Sequence, residues 1–251
     1  MSDPYVAQPT EGIAPAGLVA HKPVAPAWHT MVFVAVVLVF AALAAHSQMA
    51  MVAKHGRIPT YVMTIAWEWI LVGYVIWGAR KRGAGLRDLT GGKWSSPEDV
   101  LIDVAIAIGF WLVSVLILAG ISYALGLTKP DQMAAAKRQI FPLLPQTREE
   151  IVLWLAVSAT AGFCEELLFR GYLQKQFTAA TNSVVWGVLL QAVIFGVGHA
   201  YQGGRRIVLI AIYGAMFGIL AALKKSVRPG MIAHTMQDSL TGLAFRFIKN
   251  A

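Results

Sequence analysis

The sequence predicts an all-α fold, a polytopic bundle of about seven transmembrane helices. Of the 251 residues, 57% are hydrophobic and only 14% are charged, and the mean hydropathy is +0.60. A water-soluble domain carries about 25% charged residues and cannot bury so many aliphatic side chains. The apolar residues are also gathered into uncharged runs long enough to cross a bilayer. A soluble globular protein is therefore excluded.

The uncharged runs define the predicted spans. Residues 1–28 are rich in proline and small residues, and we expect a disordered N-terminal tail there. Residues 30–53 lack Lys, Arg, Asp and Glu, and at about 1.5 Å per residue they cross the hydrocarbon layer of about 30 Å. This run is too long, and its basic flank too weak, for a cleaved signal peptide. The further predicted spans are residues 58–79, 100–127, 149–172, 183–200, 207–223 and 230–247.

We divide the chain into the tail, three N-terminal transmembrane helices at 29–128, and a C-terminal membrane domain at 129–251. Between the third and fourth spans, the proline-bounded segment 128–148 is predicted to contain a short interfacial helix. Gly214 and Gly218 lie four residues apart in the sixth span, a pattern that lets two helix backbones approach closely.

The net charge of +8 does not indicate a nucleic-acid-binding protein. A DNA-binding surface gathers Lys and Arg on one solvated face, whereas here they separate the apolar runs. The lipid bilayer is therefore the predicted partner, and the oligomeric state stays open. Basic residues divide evenly between the two sides of a seven-span topology. The cluster at residues 80–87 directly follows the second span, and early loops dominate orientation, which favours a cytoplasmic N-terminus.

Charged residues within the fourth span are the first indication of a functional site, because each is costly inside a bilayer. Glu166 and Arg170 lie four residues apart, with the acid nearer the N-terminus, and this spacing predicts an ion pair. Glu165 is turned about 100° from Glu166 by the helical period and is left free to face a cavity. A carboxylate in that position is a candidate general base for activating water.

Two further spans contribute histidines. His199 ends the fifth span, and His234 and Asp238 lie one turn apart in the seventh. Counted from the 173–182 loop, Glu165 and His199 lie at similar depths, roughly 20–25 Å along their helices. A lone histidine, such as His46, is more often a hydrogen-bonded packing residue. Histidines and extra acids in three separate helices instead predict convergence at one site.

Two other polar residues carry weaker signals. Glu68, in the middle of the second span, either lines a polar path or makes a hydrogen bond to a neighbouring helix. Cys164, the single cysteine, cannot form an intrachain disulfide. We interpret it as a small buried residue and not as a nucleophile.

Three motifs carry a resemblance to a known family. The segments EELLFR at 165–170, FGVGH at 195–199 and HTMQD at 234–238 resemble the EExxxR, FxxxH and HxxxN/D signatures of the CAAX protease and bacteriocin-processing family of intramembrane proteases. The resemblance covers roughly residues 149–238. It implies an endopeptidase that cleaves a membrane-associated protein or peptide, with 129–251 as its catalytic domain. The residues after Phe169 are similar to those of bacterial members, which implies a bacterial inner membrane.

The resemblance also implies roles for individual residues. Glu165 would activate water, His199 would hold that water or share its proton, and His234 with Asp238 would support the oxyanion. An ionised Asp238 would repel an oxyanion unless it were protonated or only oriented His234. The residues implied as structural support are Glu166, Arg170 and Phe195.

The sequence leaves alternatives open for the cofactor and for the function. Glu165, His199 and His234 could supply three zinc ligands, but HExxH is absent, and we favour a site without a metal. A proton-coupled transporter would use buried Glu and His as a proton relay. An inactive membrane scaffold or immunity protein of the same fold is the third possibility.

Overall fold

The computed structural model describes residues 21–249, with side chains as far as residue 244, and the regular structure over this range is entirely helical. This confirms the predicted all-α fold. The elements are α1 Ala27–His55, α2 Arg57–Arg80, α3 Leu86–Thr90, α4 Pro97–Ala124, α5 Pro130–Ile140, α6 Arg148–Glu165, a π-helix Glu166–Leu173, α7 Gln174–Thr181, α8 Val184–Gly198, α9 Gly204–Lys224 and α10 Arg228–Lys249. Short 3₁₀ turns lie at Phe141–Leu143 and Ala200–Gln202.

Capping residues fix the two ends of the central helix. Thr147 precedes α6, and its hydroxyl accepts a hydrogen bond from the backbone N–H of Glu150, whose carboxylate accepts from the N–H of Thr147 in return. This reciprocal capping box starts the helix at Arg148. The helix runs through α6, the π-helix and α7 to Thr181. It ends at Asn182, which adopts the left-handed conformation with φ of 49°.

Within residues 21–249, five helices are long and apolar enough to cross a membrane: α1, α2, α4, the continuous helix Arg148–Thr181, and α9. The other two of the seven predicted spans are also helices but fall short in length or apolarity. The fifth predicted span is the 15-residue α8, which at 1.5 Å per residue is about 22 Å long. The seventh is α10, which is helical but carries several polar residues. The predicted interfacial helix is present as α5.

The end of the predicted tail is ordered. Residues 1–20 lie outside the described residues, but residues 21–26 approach α7 in a non-helical conformation, and α1 already begins at Ala27. The backbone N–H groups of Val24 and Ala25 donate to the side-chain oxygen of Gln176, and the Gln176 amide donates back to the Ala25 carbonyl. The prediction of disorder is therefore wrong for residues 21–28, because these hydrogen bonds fix the entry of the chain into α1.

The central helix Arg148–Thr181 is the axis of the bundle, with α2, α8, α9 and α10 packed around it. Gly214 and Gly218 of α9 confirm the predicted close approach. A Cβ atom at Gly214 would lie 3.0 Å from the Phe195 ring, and one at Gly218 would lie 2.7 Å from the Gln191 amide nitrogen. Because α9 comes so close, its backbone carbonyls can accept hydrogen bonds from side chains at the core of the bundle.

Candidate active site

The four residues predicted to be catalytic lie together, although they come from three separate elements. Glu165 ends α6, His199 follows α8 directly, and His234 and Asp238 project from α10. The Oε2 atom of Glu165 lies 3.9 Å from Nε2 of His199 and 3.7 Å from Nε2 of His234. Oδ2 of Asp238 lies 3.6 Å from the same His234 nitrogen. One carboxylate oxygen therefore faces two imidazole rings.

The tautomer of His199 follows from its hydrogen bond. Its Nδ1 atom lies 2.9 Å from the carbonyl oxygen of Phe195. Since a carbonyl only accepts, Nδ1 carries the proton, and Nε2 of the neutral ring is an acceptor. This acceptor points toward Glu165, which also accepts. The space between them therefore suits a group that donates in both directions.

Glu166 and Arg170 form the predicted ion pair, and both side chains are fully buried. The Arg170 guanidinium donates to Glu166 at 2.8 Å and to the Gly214 carbonyl at 3.1 Å. The guanidinium carbon also lies 4.3 Å from the centre of the Phe195 ring and 5.0 Å from that of Phe217. Cationic groups over aromatic faces at these distances are attracted by the ring quadrupole. Phe195 thus packs against the ion pair and also supplies the carbonyl that orients His199.

Glu166 has a second contact that the sequence did not indicate. Its Oε1 atom lies 3.1 Å from Nδ1 of His234, while Glu165 approaches Nε2 on the other side of the same ring. The two adjacent glutamates therefore both reach one histidine, instead of facing unrelated partners. The π-helix begins at Glu166, and insertions of π geometry into α-helices are frequent at functional sites. Since carboxylates only accept, a ring that donates from both nitrogens is an imidazolium.

Two cavities meet at Glu165. A polar cavity of about 370 Å³ is bordered by Glu165, His199, His234 and Asp238. A more apolar cavity of about 470 Å³ lies between α1, α2 and the π-helix. Glu165 and His199 border both cavities. A substrate with an apolar part and a reactive polar part can therefore reach Glu165 from the apolar cavity.

A protein-family model described as type II CAAX prenyl endopeptidase Rce1-like matches residues 147–240. The matched segment is Rce1-like. This confirms the resemblance predicted from the three motifs, and the match begins at the Thr147 cap and ends just after Asp238. The Rce1-like family is a protease family, which supports an enzyme. Together with the five apolar helices, the match indicates a multi-pass membrane protein. No curated protein and no solved structure matches the chain.

Within the described part of the chain, no group of three His, Cys, Asp or Glu side chains is arranged to hold a metal ion. Glu165, His199 and His234, the suggested zinc ligands, converge without forming such a group. Both nitrogens of His234 also face carboxylates, whereas a metal ligand needs one nitrogen free of its proton.

Sequence reasoning underestimated two features beside the Rce1-like motifs. Glu68 was visible as a charged residue in an apolar span, but its position beside Glu165 depends on how α2 packs against α6. It borders both cavities. Tyr201 borders both cavities as well and lies in the turn after His199, in the segment 201–203 that is similar to bacterial members of the family. Cys164 is buried, as expected for a packing residue.

Proposed function

We propose that this protein is an intramembrane endopeptidase that hydrolyses a peptide bond of a membrane-associated protein or peptide, with Glu165 as the base that activates water. The observation that carries the proposal is the separation of roles between adjacent glutamates. Glu166 is neutralised by Arg170, whereas the buried Oε2 of Glu165 has no hydrogen-bond partner among the described side chains and faces the cavity. That oxygen is available to accept a proton.

The geometry supports water activation by Glu165 together with His199. A water molecule between them can donate one hydrogen to the carboxylate and the other to Nε2 of His199, since both are acceptors. Transfer of the first proton to Glu165 leaves a hydroxide equivalent to attack the substrate carbonyl. The bond from Nδ1 of His199 to the Phe195 carbonyl holds the ring in the tautomer that this step needs.

Oxyanion support is assigned to His234. Its Nε2 atom lies on the cavity side and donates when the ring is charged, while Glu166 accepts from Nδ1 and holds the ring in place. Asp238 is too far from Nε2, at 3.6 Å, for a hydrogen bond and acts on His234 through its charge. The positive charge of the ring offsets the repulsion that an ionised Asp238 alone would exert on the oxyanion.

The apolar cavity supports a substrate that is embedded in, or anchored to, the bilayer. Its wall consists mainly of aliphatic and aromatic side chains from α1, α2 and the π-helix, among them Phe40, Trp67 and Leu168. Such a wall binds an apolar segment and leaves the scissile bond at the polar cavity. Ligand sites commonly combine this kind of apolar lining with a few convergent polar groups.

The test compares the membrane peptides of cells that express the wild-type protein, Glu165→Ala, or Glu149→Ala. Glu149 is an exposed acid at the start of the same helix and serves as the matched control. Mass spectrometry should find one or more full-length substrates accumulating with Glu165→Ala only, with the cleaved fragments lost. Equal fragment patterns in all three strains would contradict the proposal. Proton-coupled solute uptake that depends on Glu165 in vesicles would support the transporter alternative instead.

We further propose that hydrolysis needs no metal. Dialysis of the purified protein against a strong chelator should leave activity within about twofold, and elemental analysis should find well under one zinc per chain. Activity that is lost on chelation and restored by zinc would overturn this point, and the base would then have to be reassigned.

For the location we propose a bacterial inner membrane with a cytoplasmic N-terminus, supported by the basic residues at 80–87 after α2. A protease-sensitive tag at the N-terminus should survive protease treatment of intact spheroplasts and be removed after lysis. Removal before lysis would reverse the orientation.

A further inference from the structure

Glu68 is a buried carboxyl group that the proposed mechanism does not use. It lies on α2, outside the Rce1-like segment, and only 7% of its surface is exposed. Its Oε2 atom is buried and has no hydrogen-bond partner among residues 21–244. The side chain borders the same two cavities as Glu165 and His199. An acid whose Oε2 has no partner thus borders the cavities in which the scissile bond is expected.

The charges around Glu68 leave it without a counter-ion. His234 is the cationic group in its electrostatic surroundings, but that ring already faces Glu165, Glu166 and Asp238. Arg170 is occupied by Glu166. A buried carboxylate without a partner is far more costly than the neutral acid. The titratable groups that face Glu68 or share its cavities are Tyr61 from α2, Cys164 and Glu165 from α6, His199 and Tyr201 from the end of α8 and the turn after it, Tyr213 from α9, and His234 and Asp238 from α10.

Peptide hydrolysis requires a proton donor as well as a base. The base removes a proton from water, and the departing nitrogen must gain one when the C–N bond breaks. Two carboxyl groups in different surroundings can divide these tasks, one ionised and one protonated. Glu165, with two imidazoles near its Oε2 atom, suits the ionised role. Glu68, which lacks a cation of its own, suits the protonated role.

We propose that Glu68 is a further catalytic residue, a general acid whose carboxyl proton is transferred to the departing amine. The inference rests on the proposed function of the site. Water gives one proton to Glu165 as its oxygen bonds to the substrate carbonyl carbon. The C–N bond then breaks while the Glu68 O–H proton moves to the nitrogen. The proton on Glu165 returns through cavity water to Glu68, which restores both groups without any further reactant.

The experiment compares two substrates that share one acyl part, a peptide amide and a thioester. A thiolate leaves without a proton, whereas an amine does not. Glu68→Gln should therefore lower kcat/KM for the peptide by about 100-fold or more and leave the thioester within about threefold. Glu68→Asp retains an acid and should recover about tenfold of the loss. Glu149→Gln, the same acid-to-amide change at an exposed position, should alter neither rate.

The wild-type protein supplies a readout that does not depend on any variant folding. The ratio of its peptide rate to its thioester rate should fall at alkaline pH, where the general acid loses its proton, because loss of the His234 charge lowers both rates alike. Equal losses on both substrates in Glu68→Gln would assign the residue a structural role and overturn the inference. No loss on the peptide would overturn it as well. Retained activity in Glu165→Gln would instead contradict the proposed function, whatever Glu68 does.

Discussion

The helix α4 and the π-helix Glu166–Leu173 are both set in apolar sequence, yet they occupy opposite environments. Of the 28 residues of α4, three are buried among the described side chains, and aliphatic residues such as Leu101 and Leu116 are 67% and 74% exposed. All eight residues of the π-helix are buried, including Glu166 and Arg170. Most of α4 therefore lies at the surface, toward lipid, whereas the short segment with Glu166 and Arg170 forms the core.

The contrast shows how a bilayer changes the usual meaning of apolar sequence. Lipid solvates an aliphatic side chain about as well as a protein interior does, so apolarity alone does not draw a helix inward. A charged or polar group gains from being surrounded by protein, where partners are available. In α4 itself the same rule holds, because one of its few buried residues is Asp103, which pairs with Arg228 at 3.2 Å.

The largest loss in the free energy of unfolding is expected for a substitution of Arg170, in the buried π-helix. Arg170→Ala leaves the buried Glu166 carboxylate without its counter-ion and leaves the Gly214 carbonyl without its donor. We expect a loss of about 3–5 kcal/mol in the free energy of unfolding. Denaturation of the purified protein by SDS in mixed micelles measures it.

The matched variants for this prediction lie in both regions. Leu116→Ala on the lipid face of α4 exchanges one lipid-solvated apolar side chain for another and should cost less than about 1 kcal/mol. Arg170→Lys keeps the charge but cannot donate to both Glu166 and Gly214 as arginine does. Its loss in the free energy of unfolding should lie between those of Leu116→Ala and Arg170→Ala. If Leu116→Ala and Arg170→Ala lowered the free energy of unfolding equally, the difference in burial between α4 and the π-helix would not determine stability.

A second loss of stability, smaller than that of Arg170→Ala, is expected for a glycine substitution in the buried central helix but not for one in α4. Gly162 of α6 faces α10 so closely that a Cβ atom there would lie 2.7 Å from the Thr235 backbone nitrogen and 2.8 Å from the Met231 carbonyl oxygen. Gly162→Ala must push α10 away and should destabilise by about 1–3 kcal/mol. Because His234 lies between these contacts, peptidase activity should fall as well.

The control is Gly109 in α4, where a Cβ atom would meet nothing within 4 Å. Gly109→Ala should be neutral or stabilising by up to about 1 kcal/mol, since alanine is the better helix former. SDS denaturation of both variants and an activity assay provide the comparison. Equal stability of Gly162→Ala and wild type would mean that α6 and α10 pack less closely than described.

The fold could be predicted from sequence where the signal was local. Uncharged runs placed α1, α2, α4 and α9 within a few residues, because length and apolarity are properties of the run itself. The number of membrane spans was harder to predict from the sequence. The 15-residue α8 is shorter than the predicted 183–200, because the chain turns at His199 and continues as a 3₁₀ turn. The polar residues of α10 are accommodated by contacts with α6 and α4, which only the folded chain reveals.

The sequence predicted which residues the fold brings together but not the contacts that they make. Four-residue spacing correctly gave the pair of Glu166 with Arg170, since that rule concerns one helix surface. The hydrogen bond that Glu166 accepts from His234 depends on the π-helix and on the docking of α10. No local pattern in the sequence marked the π-helix. For the same reason Glu68 remained ambiguous until the packing of α2 against α6 placed it beside Glu165.

The smallest effect is expected at Asp238, at the edge of the core where the contrast between buried and open surroundings is weakest. Its side chain is 34% exposed, compared with 8% for His234, and the two are too far apart for a hydrogen bond. Asp238→Asn removes the charge and keeps the shape, and we expect peptidase activity to fall about threefold to tenfold, or about 0.7–1.4 kcal/mol in transition-state stabilisation. The charge acts through His234, so combining Asp238→Asn with His234→Ala should add little to the loss from His234→Ala alone. Steady-state kinetics of the two single variants and the double variant measure this coupling. Fully additive losses would show that Asp238 acts independently of the ring and would place it with the substrate instead.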